Sequence, residues 1–190
     1  MFALITSIIY NRIIVGVIMI KLVKPKIQDL WFRELCMSDE KTMSYNAGFD
    51  VHYQGYHFDT GCIDFPKTEW EEWHKKTFSD RKKYYAFILD ENTGEFVGHV
   101  NFHKDSDNKY SMGIVIHSKF RGRGYMRPAI KQLLEKAKSR RIKKIYDTIP
   151  ANREKALKVF LDMGFEITKE FDIKIFSNYE KCYEICKTIY

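Results

Sequence analysis

The sequence predicts one mixed α/β domain, with a mostly antiparallel central sheet flanked by helices. Three observations carry that expectation. A β-branched run, Ile114-Val115-Ile116, breaks into Arg121-Gly122-Arg123-Gly124, and apolar residues then recur at Met126, Ala129, Ile130, Leu133, Leu134 and Ala137. That is the i, i+3, i+4, i+7 spacing of one buried helix face. Two alternating segments, 84–89 and 95–103, flank the polar turn Asp90-Glu91-Asn92-Thr93-Gly94 and read as a hairpin. Two more, 165–176 and 179–189, meet at Ser177-Asn178 and give an antiparallel finish. At 190 residues and 45% hydrophobic composition, the chain is long enough to bury one core and short for two.

Taken in order, the first twenty residues, MFALITSIIYNRIIVGVIMI, are long enough to cross a bilayer. Asn11 and Arg12 sit at their middle, where an Arg costs roughly 2.5–3.5 kcal/mol on insertion scales. No basic n-region or small-residue cleavage site marks a signal peptide. A weak membrane anchor, an added element packed on the domain, and a natural start at Met19 all fit. The third is preferred, because Ile20-Lys21-Leu22-Val23-Lys24-Pro25 already reads as a first strand. It divides the chain into an apolar extension, 1–18, and one domain, 19–190, with no membrane contact unless the extension is retained.

Residues 27–47 read as helical, with Leu30, Trp31, Leu35 and Met43 at apolar positions and Gly48 as the stop. Residues 50–66, DVHYQGYHFDTGCIDFP, then change composition: three aspartates, two histidines and several aromatics, with no Lys, Arg or Glu. Such a loop reads as more than a connector. Tyr53, Tyr56, His57, Asp59 and Asp64 are its candidate substrate-wall residues. His52, His57 and Cys62 match no zinc spacing, so no metal is expected. Thr68 and Glu71 form a capping-box pattern before a short helix carrying Trp70 and Trp73. In the 95–103 strand, the period of two puts Val97, His99, Asn101 and His103 on one face, and Phe96, Val100 and Phe102 on the other. Residues 142–149 form the next strand, with Asp147 in it. Asn152 is placed to cap the helix that Gly164 closes. Four cysteines, Cys36, Cys62, Cys182 and Cys186, show no C-x-x-C pair and read as free thiols in a reducing compartment.

The glycine turn is the strongest functional signal. Two glycines allow backbone to approach a ligand closely, and the helix N-terminus beyond them offers unpaired amides to an anion. From Lys119 to Lys144 there are eleven Lys or Arg against one acid, Glu135, whereas the whole chain is only +7. The positive charge is concentrated at this turn and helix, which suits a polyanionic ligand. A nucleic-acid-binding module is a weaker reading, because no aromatic-basic platform accompanies the charge.

These residues resemble motif A of the GNAT superfamily, the Gcn5-related N-acetyltransferases, whose signature [QR]-x-x-G-x-[GA] lies between a strand and a helix. Arg121, Gly122, Arg123 and Gly124 fit it, with Met126 at the last position. Residues 152–165, NREKALKVFLDMGF, are similar to motif B. There Asn152 sits four residues before Ala156 where the family has three, and Phe160 stands at the position that often carries a general-acid Tyr.

The resemblance implies the GNAT fold, in a cytoplasmic N-acetyltransferase that uses acetyl-CoA as co-substrate. It implies pyrophosphate on the amides of Gly122, Arg123, Gly124, Tyr125 and Met126, with Arg121, Arg123 and Arg127 serving the phosphates. Pantetheine would pair with the backbone of Val115 and Ile116, and Asn152 would assist. Transfer would be direct, to a small-molecule or peptide amine. His103 or, through a water, Asp147 would act as base, with Tyr146 or Tyr125 near the leaving thiolate. The aspartate-bearing loop suggests a cationic acceptor. A homodimer is a possible assembly, and nucleic acid is not an expected partner. The alternative, motivated by Met126 and Phe160, is a non-catalytic acetyl-CoA-binding sensor or interaction protein with a GNAT-like fold.

Overall fold

The computed structural model describes residues 18–190, so the expectations about residues 1–17 fall outside it. The described chain opens with β1 (Ile20–Val23), two short helices, α1 (Trp31–Ser38) and α2 (Glu40–Met43), then a long irregular loop and α3 (Trp70–Ser79). A meander of β2 (Lys83–Asp90), β3 (Phe96–Lys104) and β4 (Tyr110–Ile116) follows. After it come α4 (Met126–Ser139), β5 (Lys144–Pro150) and α5 (Glu154–Asp162). A hairpin of β6 (Glu166–Ile175) and β7 (Asn178–Thr188) completes the order. The strands form one sheet, β1-β2-β3-β4-β5-β7-β6. Neighbours are antiparallel except β4 and β5, which are parallel and joined by the crossover helix α4. The sheet is therefore mixed and mostly antiparallel, as the sequence predicts.

Each face of the sheet carries its own core. On one, Ala129, Ile130, Leu133 and Ala137 of α4 are fully buried and share a cluster with Ile88, Val100, Phe102, Ile145 and Ile185 of the strands and Phe160 of α5. On the other, Leu30, Phe32, Phe65 and Trp70 pack over Tyr85 and Phe87. Packing two amphipathic helix layers against a two-sided sheet is why β2 reads as a nearly continuous apolar run.

Several local expectations are corrected. The helix expected over 27–47 is broken. A 3-10 turn at Ile27–Leu30 leads into α1, and Asp39 interrupts it with extended backbone (φ −82°, ψ 106°). The Asp39 carboxylate accepts the Thr42 N–H at 2.9 Å and so caps α2, a local bond that competes with helix continuation. The break turns the apolar face: Leu30 and Met43 are buried, but Trp31 and Leu35 are 51% and 44% exposed. The Thr68–Glu71 box does not form, because the segment starts as a 3-10 turn at Lys67 and no side chain caps α3. Asn152 does not cap α5 either. Arg153 holds the cap position, and the Asn152 amide donates to Glu180 at 2.7 Å.

In β3 the pairing with β2 slips between Gly98↔Ile88 and Phe96↔Leu89, leaving Val97 as an extra residue. The bulge exchanges the two neighbours' faces. Val97 joins the α4-side core, while Phe96 packs on Phe87 with centroids 4.9 Å apart. Three of the four cysteines expected to be thiols lie on α1 or β7, and all four are buried and free.

Candidate functional site

The glycine turn follows β4 directly. Both glycines take left-handed backbone, φ +75° at Gly122 and +91° at Gly124, which side-chain-bearing residues rarely adopt. Among the described residues, a Cβ on Gly122 would meet nothing within 4 Å, whereas one on Gly124 would lie 2.9 Å from the Ile18 side chain, so the turn is open at Gly122. Among the described residues, the N–H groups of Gly122, Arg123, Gly124 and Tyr125 find no acceptor. Pro128 lies in the first turn of α4, where a missing N–H costs nothing. No acidic side chain sits in that turn. Free amides at a positive helix end, with open space before them, fit a diphosphate.

The basic residues around the turn divide sharply. Arg121 does not reach toward the open space: its guanidinium donates to the carbonyls of Ile116 (3.2 Å), Lys41 (2.8 Å) and Thr42 (2.7 Å). It ties the turn to α2. Arg127 is held by Asp162 of α5 at 2.5 Å. Arg123 is exposed and lies over the Phe120 ring at 5.4 Å, with no hydrogen bond or ion pair among the described residues. Of the three, it is the one available to a phosphate.

Tyr125 is likewise committed. It is 7% exposed, and its hydroxyl donates to Asp90 at 2.5 Å. That bond pulls the Asp90 carboxyl below the usual carboxylate range, while burial and the same partner push the Tyr125 phenol up. Tyr125 thus pins the start of α4 to the end of β2.

β4 and β5 run side by side but share a single registered pair, Ser111↔Tyr146, among the described residues. Beyond it toward the glycine turn they part, so the β4 backbone through Val115 and Ile116 borders a fork. Asp147 follows the joint immediately. Its carboxyl takes the Thr148 N–H at 2.8 Å, and burial raises it from 3.8 to about 7. Burial and a hydrogen bond with Cys186 raise the neighbouring Tyr146 phenol, over whose ring Lys109 sits at 4.8 Å. His103 stands opposite Ser111 and is exposed.

The 50–66 loop packs against α1 and the end of α2, where Cys62 and Ile63 cluster with Met37, Met43 and Tyr45, and Phe65 lies under the Arg33 guanidinium at 4.8 Å. Tyr53 is 56% exposed. The Tyr56 hydroxyl donates to the Asn46 carbonyl at 2.7 Å and bonds the Phe49 N–H at 3.2 Å. His57 pairs with Asp64 at 2.9 Å in the open. His57 and Asp64 line a groove of about 540 Å³, and Asp59 lines a second. No lining residue of either belongs to β4, β5 or the glycine turn. Phe160 is 2% exposed and packs on Phe165 at 5.0 Å, so it is a core residue.

Sequence reasoning missed the residues that brace the turn. Ser118 donates its hydroxyl to Asp39 at 2.7 Å and its N–H to the Thr42 hydroxyl at 2.8 Å. Burial alone would raise the Asp39 carboxyl, but the bonds from Thr42 and Ser118 outweigh it and hold it low. Burial lowers His117 in spite of Asp39 at 3.9 Å. The helix break is the visible cue. An Asp three residues before a Thr is a capping signal, and it marks where α2 meets the turn.

The family model described as "Acetyltransferase (GNAT) family" matches residues 51–165. Among solved structures, the chain is similar to a spermidine N-acetyltransferase from Vibrio cholerae in complex with CoA and spermine. The two are 20% identical with a TM-score of 0.71, over 89% of this chain and 95% of that one. It is also similar to an acetyltransferase (GNAT family) from Bacillus anthracis, 18% identical with a TM-score of 0.67, over 90% and 95% of the two chains. At these identities the likeness establishes the fold. No curated protein matches the sequence.

Proposed function

The chain belongs to the acetyltransferase (GNAT) family, and on that premise we propose that it transfers an acetyl group from acetyl-CoA to a primary amine by direct attack in a ternary complex. One observation carries this reading: a glycine turn with four amides that find no acceptor among the described residues lies at the mouth of a fork between parallel strands. The turn and Arg123 suit the diphosphate, and the parted edge of β4 suits the amide-bearing pantetheine arm, laid against it like an added strand. The neighbour that holds CoA and spermine supports a thioester donor and an amine acceptor as the class of chemistry.

Acetyl-CoA supplies an activated thioester. The amine nitrogen bonds to the acetyl carbon as the carbon–sulfur bond breaks, so the amine must lose a proton and the departing sulfur must be stabilised. Asp147 is the base we favour, acting through a water. A carboxyl raised to about 7 ionises near neutral pH yet remains basic enough to accept a proton. Tyr146 keeps its proton at neutral pH and can donate a hydrogen bond to the sulfur. A backbone N–H on the open edge of β4 would serve the developing oxyanion.

Calorimetric titration with acetyl-CoA, on the parent and on Gly122→Val, tests the reading. Binding in the parent that the variant loses is expected, since a side chain there fills the open cradle. No binding by the parent overturns the proposal. Binding with no turnover of any amine would favour a cofactor-binding sensor instead.

A further inference from the structure

Polar groups without partners gather on the face of the sheet opposite α4, beneath α1. Arg33 of α1 is only partly exposed, and its guanidinium is boxed by aromatic rings, with Trp73 at 4.4 Å, Phe65 at 4.8 Å and Tyr85 at 5.5 Å. One Nη donates to the Tyr85 hydroxyl at 3.3 Å, but its Nε is buried and bonds nothing. His99, 2% exposed, stacks on the other partner of this group, Tyr85, at 5.2 Å, and its buried Nδ1 also has no partner. Burial and the Arg33 charge lower His99 to about 3, so it stays neutral. Among the described residues, Arg33 makes no ion pair.

Tyr45, just beyond α2, bears no hydrogen bond on its hydroxyl among the described residues and lies within the fields of Arg33, Arg153 and Asp147. Arg153 lies over its ring at 5.4 Å. The ion pairs among the described residues include neither Arg33 nor Arg153. Glu180 is the acid whose charge acts on Arg153, and it already takes a hydrogen bond from Asn152. A half-buried guanidinium with an unused donor is costly unless an anion meets it. A planar fork in an aromatic box matches a carboxylate bidentately.

We propose that the acceptor amine also carries a carboxylate, as an amino acid or short peptide does, and that Arg33, with Tyr45 and Arg153 beside it, binds that carboxylate next to Asp147. This rests on the transferase reading and names its substrate class. It differs from the cationic acceptor suggested by the 50–66 loop, in which Asp59 and Asp64 line grooves that no residue of β4, β5 or the glycine turn borders.

The test has two stages, so that the two readings fail separately. Calorimetry with acetyl-CoA first establishes cofactor binding; its failure removes the transferase reading itself. CoA release is then measured with the L-α-amino acids, the corresponding amino-acid amides, and spermidine. At least one free acid should turn over, with kcat/KM at least tenfold above that of its amide and above that of spermidine. Arg33→Lys should raise KM for the acid at least tenfold, leaving acetyl-CoA affinity unchanged. Tyr45→Phe, which removes one oxygen, guards against an Arg33 variant that fails to fold and should raise KM for the acid alone. Amides or spermidine equal to or better than every acid, or no acid turned over by a protein that binds acetyl-CoA, would overturn the proposal.

Discussion

In the proposed reaction Asp147 would join the chemistry to a stability cost in one side chain. Its carboxyl ionises near 3.8 in the unfolded chain and near 7 in the folded one. Between those values the unfolded state sheds the proton while the folded state keeps it, so stability falls as pH rises from about 4 to about 7. Asp147→Asn should remove that slope. Urea unfolding should find the variant more stable than the parent at pH 8 and nearly equal at pH 4. If Asp147 is the base, kcat/KM rises with pH through about 7 in the parent, and the variant loses that limb with a fall of about 10²–10⁴-fold. A variant that keeps the pH profile would transfer the role to another group, His103 first. The sequence named Asp147 but offered no reason to rank it over His103. The desolvation that raises the half-buried Asp147, and so favours it in the proposed mechanism, comes from strands and helices far away in the chain. The same holds for Arg33 and His99. An Arg on a short helix reads as solvated until Trp73, Phe65 and Tyr85 are seen around it.

At the level of the element, the strand–turn–helix unit was legible because its parts are contiguous. The β-branched run, the glycines and the α4 stripe specify one another locally, and of the six expected stripe positions Ala129, Ile130, Leu133 and Ala137 are buried while Met126 and Leu134 are half-buried. The braces on that unit were not legible, because they come from residues about eighty positions away. Arg121 and Arg123 look alike in the sequence, two residues apart in the same basic run. They do opposite things. Arg121 spends its donors on three carbonyls of its own chain, whereas among the described residues Arg123 makes no hydrogen bond or ion pair. Arg121→Met should therefore destabilise the fold by about 1–3 kcal/mol, the cost of charged hydrogen bonds lost, and weaken acetyl-CoA only through that loosening. Arg123→Gln should leave Tm unchanged and raise Kd for acetyl-CoA about tenfold, which is about 1.4 kcal/mol. Paired thermal melts and titrations check both. Exchange of the two outcomes would mean that Arg121 swings out to meet the phosphate.

Across the whole molecule, the two cores lie on opposite faces of one sheet, and the sheet itself is weakest between β4 and β5. Three strand pairs on one side and two on the other are laddered over long registers, yet a single pair, Ser111↔Tyr146, bridges the halves. The α4-side core crosses this seam, with Val100 and Phe102 on one side and Ile145 and Ile185 on the other. The fork can therefore stay open without splitting the domain. A ligand that enters as an added strand completes hydrogen bonds that the seam leaves unmade, and it should stabilise the protein as a whole. At a hundredfold excess over Kd, acetyl-CoA should add about 2.7 kcal/mol to unfolding. Hydrogen exchange gives the location as well as the size. Amides of residues 113–116 that face β5, together with those of residues 122–125, should slow on binding, and the 50–66 loop should change little. Slowing confined to that loop would mean that the anion site is not at the glycine turn, and that the seam is only a structural gap closed by side chains.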